Sequence, residues 1–391
     1  NRQNRSDKGS YLYEISAAAW VDAVLDTKKP LSPQSLATLR SKALEKADWN
    51  WQSIIAKRDL VTPTKIKEPL GFRKGMTFAH EGYRTYNGYG GSTVDPSLDS
   101  LAVLNVNALS IVPYTSQRDK NKTGDLPTSS YAGGENDQAV IYSIQRAHNR
   151  GWSVMLKPQI WVRNAWPGEI DFATEEEWDQ FFTRYTEWIT HYAVMAQLEG
   201  VDALCIGTEM VRSTIDHPEE WREIIALLRN VYGGRLTYAA NWGEEFENLT
   251  FWDDLDAIGL NSYYPLSEKE EPTNAELLKG AESWVAKAER IARKYNKKWW
   301  LTEVGFRSVK RAWLNPHADA GERPVSDDCQ QRCFDALVTA SDAADHLTGM
   351  HVWKWPSYLG YGRRSREPGT EFTPGGKPAA SEVRDFYGGK K

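Results

Sequence analysis

A chain of 391 residues with 40% apolar and 26% charged side chains is long enough for two or three domains of about 150 residues, or for one large barrel. That balance excludes disordered, collagen-like and membrane-spanning classes. Lys and Arg number 48 against 53 Asp and Glu, a formal charge of −5, so no cationic surplus exists for a nucleic-acid backbone or an anionic bilayer.

Residues 1–10 are polar and expected to be loose, and residues 11–70 carry helical patterns broken at Pro30 and Pro33, which predicts a helical N-terminal extension packed on the remainder. From Gly75 onward, short β-rich runs alternate with longer amphipathic stretches. Strands are expected at 75–79, 108–113, 153–157, 202–207, 236–240, 256–261, 298–303 and 350–355. Helices are expected at 135–149, 174–198, 218–231, 274–295, 327–345 and 379–387. Eight βα units imply the α/β class and a (β/α)8 TIM barrel over 71–391. A doubly wound sheet lacks its phosphate fingerprint, because Gly88-Tyr-Gly90-Gly91 is followed by Thr93 where the last glycine is needed. Segments 82–97, 114–134 and 308–326 are long enough to wall a cleft.

Reacting groups of such a barrel sit where the strands end. The third strand ends in Lys157-Pro-Gln159-Ile-Trp161, the fourth in Gly-Thr-Glu209-Met, and the fifth in Asn241-Trp242. The sixth runs into Asn-Ser-Tyr263-Tyr264-Pro, the seventh into Thr-Glu303-Val-Gly, and the eighth into Trp-Lys-Trp355-Pro. Only Glu209 and Glu303 are acidic, and opposed strands bring them together across the mouth. Two facing carboxylates meet the requirement of glycosidic bond cleavage, one protonating the leaving oxygen and the other attacking the anomeric carbon or activating water. Alternation along the fourth strand places Gly207, Cys205 and Ala203 inside with Glu209. Lys157, Gln159 and Asn241 are expected to bond sugar hydroxyls, with Trp161, Trp242 and Trp355 as stacking faces and Tyr264 beside them. The 17 Trp and 18 Tyr suit a sugar site or a large core alike.

Other chemistries find less support. A Schiff-base or phosphate-handling barrel would use Lys157 or Lys354, but the nearest glycine pair, Gly360 and Gly362, lies past the eighth strand. His80-Glu81 does not continue into H-E-x-x-H, so no metal site is expected, and no cofactor is implied. Cys205, Cys329 and Cys333 have neither zinc spacing nor a disulfide framework.

These strand-end motifs, G-T-E-M, N-S-Y-Y-P, L-T-E-V-G-F-R-S and W-K-W-P, resemble the retaining glycoside hydrolases of clan A. With L-K-P-Q-I-W on the third strand, the resemblance is greatest to glycoside hydrolase family 113, the β-1,4-mannanases, over residues 71–385. It implies that Glu209 is the acid/base, Glu303 the nucleophile, Tyr263 a hydrogen-bond donor to that nucleophile, and Trp355 the floor of the subsite where cleavage occurs. Two positions depart from the clan pattern: Thr208 stands where most members have Asn, and Pro113-Tyr114 where many have Arg.

The expected enzyme is therefore a retaining, endo-acting β-mannanase with a polysaccharide or oligosaccharide partner. Its two carboxyls should lie about 5 to 5.5 Å apart, and Glu209 should have a raised pKa. Another β-1,4-glycanase, an exo-glycosidase of the clan, or an inactive carbohydrate-binding barrel are the alternatives. The chain is expected to be a monomer without a membrane span, exported to the periplasm, cell surface or medium by a signal segment that is not in this sequence.

Overall fold

The computed structural model describes residues 63–66, 71–81, 84, 86–131, 133–361 and 369–390. Most of the expected N-terminal extension lies outside the described residues. Residues 63–66 rest against the barrel, with Gln197 Nε2 donating to Thr64 Oγ1 at 2.8 Å.

Eight parallel strands close a barrel. In chain order they are β1 (Arg73–Ala79), β2 (Ala108–Ile111), β4 (Ser153–Leu156), β6 (Ala203–Thr208), β7 (Arg235–Asn241), β8 (Ala257–Ser262), β9 (Trp299–Val304) and β10 (Leu347–Pro356). Two short strands stand apart. β3 (Tyr114–Gln117) and β5 (Gln159–Val162) pair in parallel above the second and third barrel strands, so segment 114–134 is not merely the loop expected from sequence. Helices α1 (Val94–Ala102), α2 (Asp137–His148), α3 (Glu175–Leu198), α4 (Val211–Asp216), α5 (Pro218–Arg229), α6 (Glu244–Asn248), α7 (Asn274–Tyr295), α8 (Asp327–Asp342) and α9 (Ala379–Gly389) surround the barrel. Of these, α1, α4 and α6 fall outside the helices expected from the sequence.

Local chemistry sets the helix starts. Asn136, Thr174 and Ser326 each accept a backbone N–H of their own first turn, and Thr273 with Glu276 forms a reciprocal capping box. Apolar residues facing outward from the strands, such as Leu109, Ile111, Leu204, Ile206, Val304 and Val352, pack against these helices as one continuous core. Tyr387 of α9 donates from its hydroxyl to Gly75 O at 2.7 Å and contacts Met350 O at 2.9 Å. The last helix thereby ties the seam between first and last strands. All three cysteines are buried and free, and no helix among the described residues is long and apolar enough to cross a membrane.

Candidate active site

Glu209 reaches the barrel mouth through an irregularity. Ala203 and Cys205 point inward as expected, but β6 then takes three steps, Cys205 to Thr208, where β7 takes two, Thr237 to Ala239. This bulge turns Gly207 toward the helices, where a Cβ would sit 2.7 Å from ring atoms of Trp221 and Tyr238. The inward placement of Gly207 expected from simple alternation is thus corrected. Glu209 follows the strand end with φ 54°, a left-handed conformation that costs a non-glycine residue about 1–3 kcal/mol and needs support. Its own N–H bonds Ala239 O at 2.9 Å, and the next N–H, of Met210, bonds the Tyr238 hydroxyl at 2.7 Å. That hydroxyl donates to Glu245 Oε1 at 2.6 Å, which also accepts from Thr214 Oγ1 at 2.7 Å, while Asn241 N–H bonds Glu245 Oε2 at 2.6 Å. Glu245, pushed up to about 7 by burial, therefore joins the Glu209 turn to the end of β7. The sequence reading did not single it out.

Glu303 ends the opposite wall. Its register partner is Asn261, reached after Leu301 pairs with Leu260, so Thr302 is an extra residue in β9. Tyr263 Oη donates to Glu303 Oε1 at 2.5 Å, and Lys157 Nζ to Oε2 at 2.8 Å. Burial and the Glu303 charge hold the Tyr263 phenol well above its ordinary range, keeping it a neutral donor. Lys157 requires a correction: it is 0% exposed, and its ammonium contacts Glu303, Asn261 Oδ1 at 3.3 Å and Thr302 O at 3.4 Å. Those contacts engage its three protons, leaving no exposed donor for a sugar hydroxyl. The second barrel strand runs into Pro113-Tyr114 without an arginine, and the cation beside Glu303 comes from the third strand instead.

Asn261 joins the two carboxyls. Its Oδ1 accepts from Lys157 and from Thr302 Oγ1 at 2.9 Å, which orients Nδ2 toward Glu209 Oε1, also at 2.9 Å. The other oxygen of Glu209 accepts from Trp166 Nε1 at 2.7 Å. Burial first, and the Glu303 charge second, raise the Glu209 pKa against the opposing pull of Asn261, Trp166 and Lys157. Asn261 stands two residues before Tyr263 in the motif quoted above, and Trp166 nine residues before the start of α3. Neither carries a sequence signal for this role beyond its place after a strand.

The sequence profile described as Glycoside Hydrolase Family 113 matches residues 76–377. The chain belongs to this family. It is accordingly a glycoside hydrolase, and its substrate is a carbohydrate. Among solved structures it is similar to the family 113 β-mannanase AaManA from Alicyclobacillus acidocaldarius in complex with ManMIm, with 27% identity, TM-score 0.70, and 82% of this chain and 98% of that chain covered. A complex structure of a family 113 β-1,4-mannanase is similar in fold, with 23% identity, TM-score 0.71, and 82% and 100% covered. So is a β-glucuronidase from Ruminococcus gnavus, with 16% identity, TM-score 0.56, and 83% and 53% covered. No curated protein matches the sequence.

Around the carboxyls of this family 113 enzyme, the remaining expected residues are distributed unevenly. Trp355 is corrected. Between Met76 and Phe78, β1 takes two steps while β10 takes three, Val352 to Trp355. Trp355 is thereby turned to the same side as Val352, is 4% exposed, and bonds Ser97 of α1 through its indole N–H at 3.1 Å to Oγ. The half-buried Trp353, next to the inward His351 by alternation, faces the mouth in its place. Gln159 and Trp161 lie on one face of β5, opposite the buried Ile160 and Val162, and Trp161 is 55% exposed. The Trp242 ring meets Tyr264 edge-on at 5.3 Å and His317 at 5.8 Å. The Tyr264 hydroxyl accepts Gly243 N–H at 2.9 Å. Asn241 is half-buried at the end of β7.

Proposed function

We propose that the protein is a retaining, endo-acting β-1,4-mannanase on mannan or glucomannan. The observation that carries this reading is the Asn261-linked pair, in which Glu209 has a raised proton affinity while Glu303 accepts from Tyr263 and Lys157. Glu209, protonated, gives its proton to the glycosidic oxygen as a Glu303 oxygen attacks the anomeric carbon. The bond to the leaving sugar breaks and a glycosyl ester forms. Glu209, now a carboxylate, takes a proton from water, whose oxygen attacks the same carbon and releases Glu303. Two inversions at one carbon give net retention. Lys157 and Tyr263 position the attacking carboxylate and stabilise it as the leaving group of the second step.

Family 113 relatives described as β-mannanases support the mannan assignment. The polar and aromatic positions flanking the pair, Gln159 and Trp161 on one side and Asn241, Trp242 and Tyr264 on the other, support an elongated substrate crossing the mouth. In this reading Trp353 replaces Trp355 beneath the sugar being cleaved, and residues 71–391 form the catalytic barrel. The enzyme acts as a monomer and, because a polysaccharide does not cross a bilayer, outside the cell membrane.

The test is reducing-sugar release from β-1,4-mannan, glucomannan, xylan, a cellulose derivative and chitosan beside a Glu303→Gln control, with proton NMR of the first product. Release from mannan or glucomannan, β-anomer first and lost in the control, is expected. An α-anomer formed first would overturn retention, and release confined to another polymer would move the substrate. Silence on every polymer and oligosaccharide would favour a binding protein.

A further inference from the structure

Trp166 lies outside both carboxyl-bearing strands, on the turn between β5 and α3, yet it makes a direct bond to Glu209. Its Nε1–H stands 2.7 Å from Glu209 Oε2. An indole nitrogen donates and never accepts, so this contact is best made to an oxygen without a proton. The opposite oxygen is engaged in the same sense by Asn261 Nδ2, whose orientation is fixed by Lys157 and Thr302.

The turn holds the indole in place. Pro167–Glu169 forms a single 3-10 turn, with Glu169 N–H bonding Trp166 O at 2.9 Å. The indole lies on the open face of Gly168, where a Cβ would stand 2.3 Å from Cη2 and Cζ3 and 2.7 Å from Cε3. Gly168 is therefore the seat of the ring, and any side chain there moves the N–H off Glu209. The same turn packs against α4, the helix that follows Glu209.

We propose that Trp166 is a positioning residue that tunes when Glu209 holds its proton, its N–H favouring the carboxylate form and so allowing the same group to serve as acid and then as base. This rests on the acid/base reading above. The charged and titratable groups facing Glu209 are Glu303 on β9, Lys157 just after β4, Tyr263 just after β8 and Glu245 on α6. None lies on the Trp166 turn, so all remain when the indole is changed. Burial and Glu303 push the Glu209 proton affinity up; Trp166 and Asn261 restrain it.

The experiment is the pH profile of kcat/KM on a soluble manno-oligosaccharide for the wild-type enzyme, Trp166→Phe and Gly168→Ala. Losing a hydrogen bond to the charged form raises the proton affinity, so the alkaline limb is expected about one pH unit higher in Trp166→Phe. Gly168→Ala should move it in the same direction with the tryptophan still present. A limb that stays in place in Trp166→Phe, whatever happens to kcat, overturns the proposal and leaves the indole a packing element. Should that variant not fold, Gly168→Ala decides on the same readout. Failure of the underlying reading shows separately, because Glu209→Gln would then keep both the activity and the alkaline limb of the wild type.

Discussion

The two halves of the barrel interior solve the burial of positive charge in different ways. In the lower half, the fully buried Trp300 fills the space left by Met155, Ala203, Cys205, Ala239 and Ala257. The Arg73 guanidinium lies 4.3 Å from its ring centroid and that of Arg235 5.9 Å, so an aromatic face covers the charge. Directly above, Gly75 makes room for the His351 imidazole, which a Cβ would approach to 2.3 Å. Burial and Arg73 lower the His351 pKa to about 3, so this ring stays neutral. In the upper half, the buried cation is Lys157, and a carboxylate answers it. Both oxygens of Glu209 and both of Glu303 accept hydrogen bonds there. Close packing below makes a rigid base, and polar pairing above makes a site whose charges can change during a reaction.

The largest effects should separate these halves cleanly. Glu303→Gln is expected to lower kcat at least about a thousandfold, measured by reducing-sugar release, because the attacking oxygen is lost. Trp300→Ala should do the opposite. It removes the interior plug and is expected to cost about 3–5 kcal/mol in urea unfolding, while kcat of the folded fraction stays near that of the wild type. A Trp300→Ala enzyme that is stable but inactive would break the division.

How far the sequence revealed this arrangement follows the same division. The eight barrel strands were legible because short apolar runs alternate with helical periods, and Glu209 and Glu303 because strand ends carry the chemistry of such barrels. What sequence alternation cannot see is a bulge. The extra residues in β6 and β10 reverse the expected faces of Gly207 and Trp355. Lys157 was placed at the right strand end, but its depth depends on which carboxylate lies opposite, a long-range fact. The aromatic composition was ambiguous for a physical reason. Many tyrosine hydroxyls tie the backbone rather than bind sugar, as Tyr89 does at Phe78 O, Tyr185 at Ile206 O and Tyr387 at Gly75 O. Trp166 and Asn261 come from a connecting turn and a strand end, and their convergence on Glu209 exists only in three dimensions.

The bulge in β10 can be tested by comparing its two tryptophans. Trp355→Ala removes a buried ring bonded to Ser97 and should lower the melting temperature without changing KM. Trp353→Ala should spare the melting temperature and lower kcat/KM roughly tenfold, the loss of one stacking face of about 1–2 kcal/mol. The reverse pattern would restore the inward placement of Trp355 expected from simple alternation.

A pH-dependent effect on stability comes from a carboxyl on the flank of the mouth. Glu135, just before α2, accepts Tyr114 N–H at 2.8 Å through Oε2, while its buried Oε1 meets no donor among the described residues. Its neighbour Glu81 is paired with Lys354 at 2.5 Å. Burial, with the Glu81 charge adding to it, pushes Glu135 up to about 8 from 4.5. Below 4.5 the carboxyl is protonated folded or unfolded, and the group places no pH-dependent load on the fold. Between 4.5 and about 8 the unfolded chain releases the proton and the folded one keeps it, so stability falls as pH rises, by up to about 1.4 kcal/mol per unit. Above that range the folded protein carries the charge as well, and the loss levels off. Glu135→Gln keeps an oxygen for Tyr114 N–H and cannot ionise. Melting curves of the two proteins should therefore coincide near pH 4 and diverge as pH rises, with the variant the more stable at pH 8. Curves that stay parallel would mean that Glu135 is ionised in the folded protein, and that this side of the mouth already carries two negative charges at neutral pH.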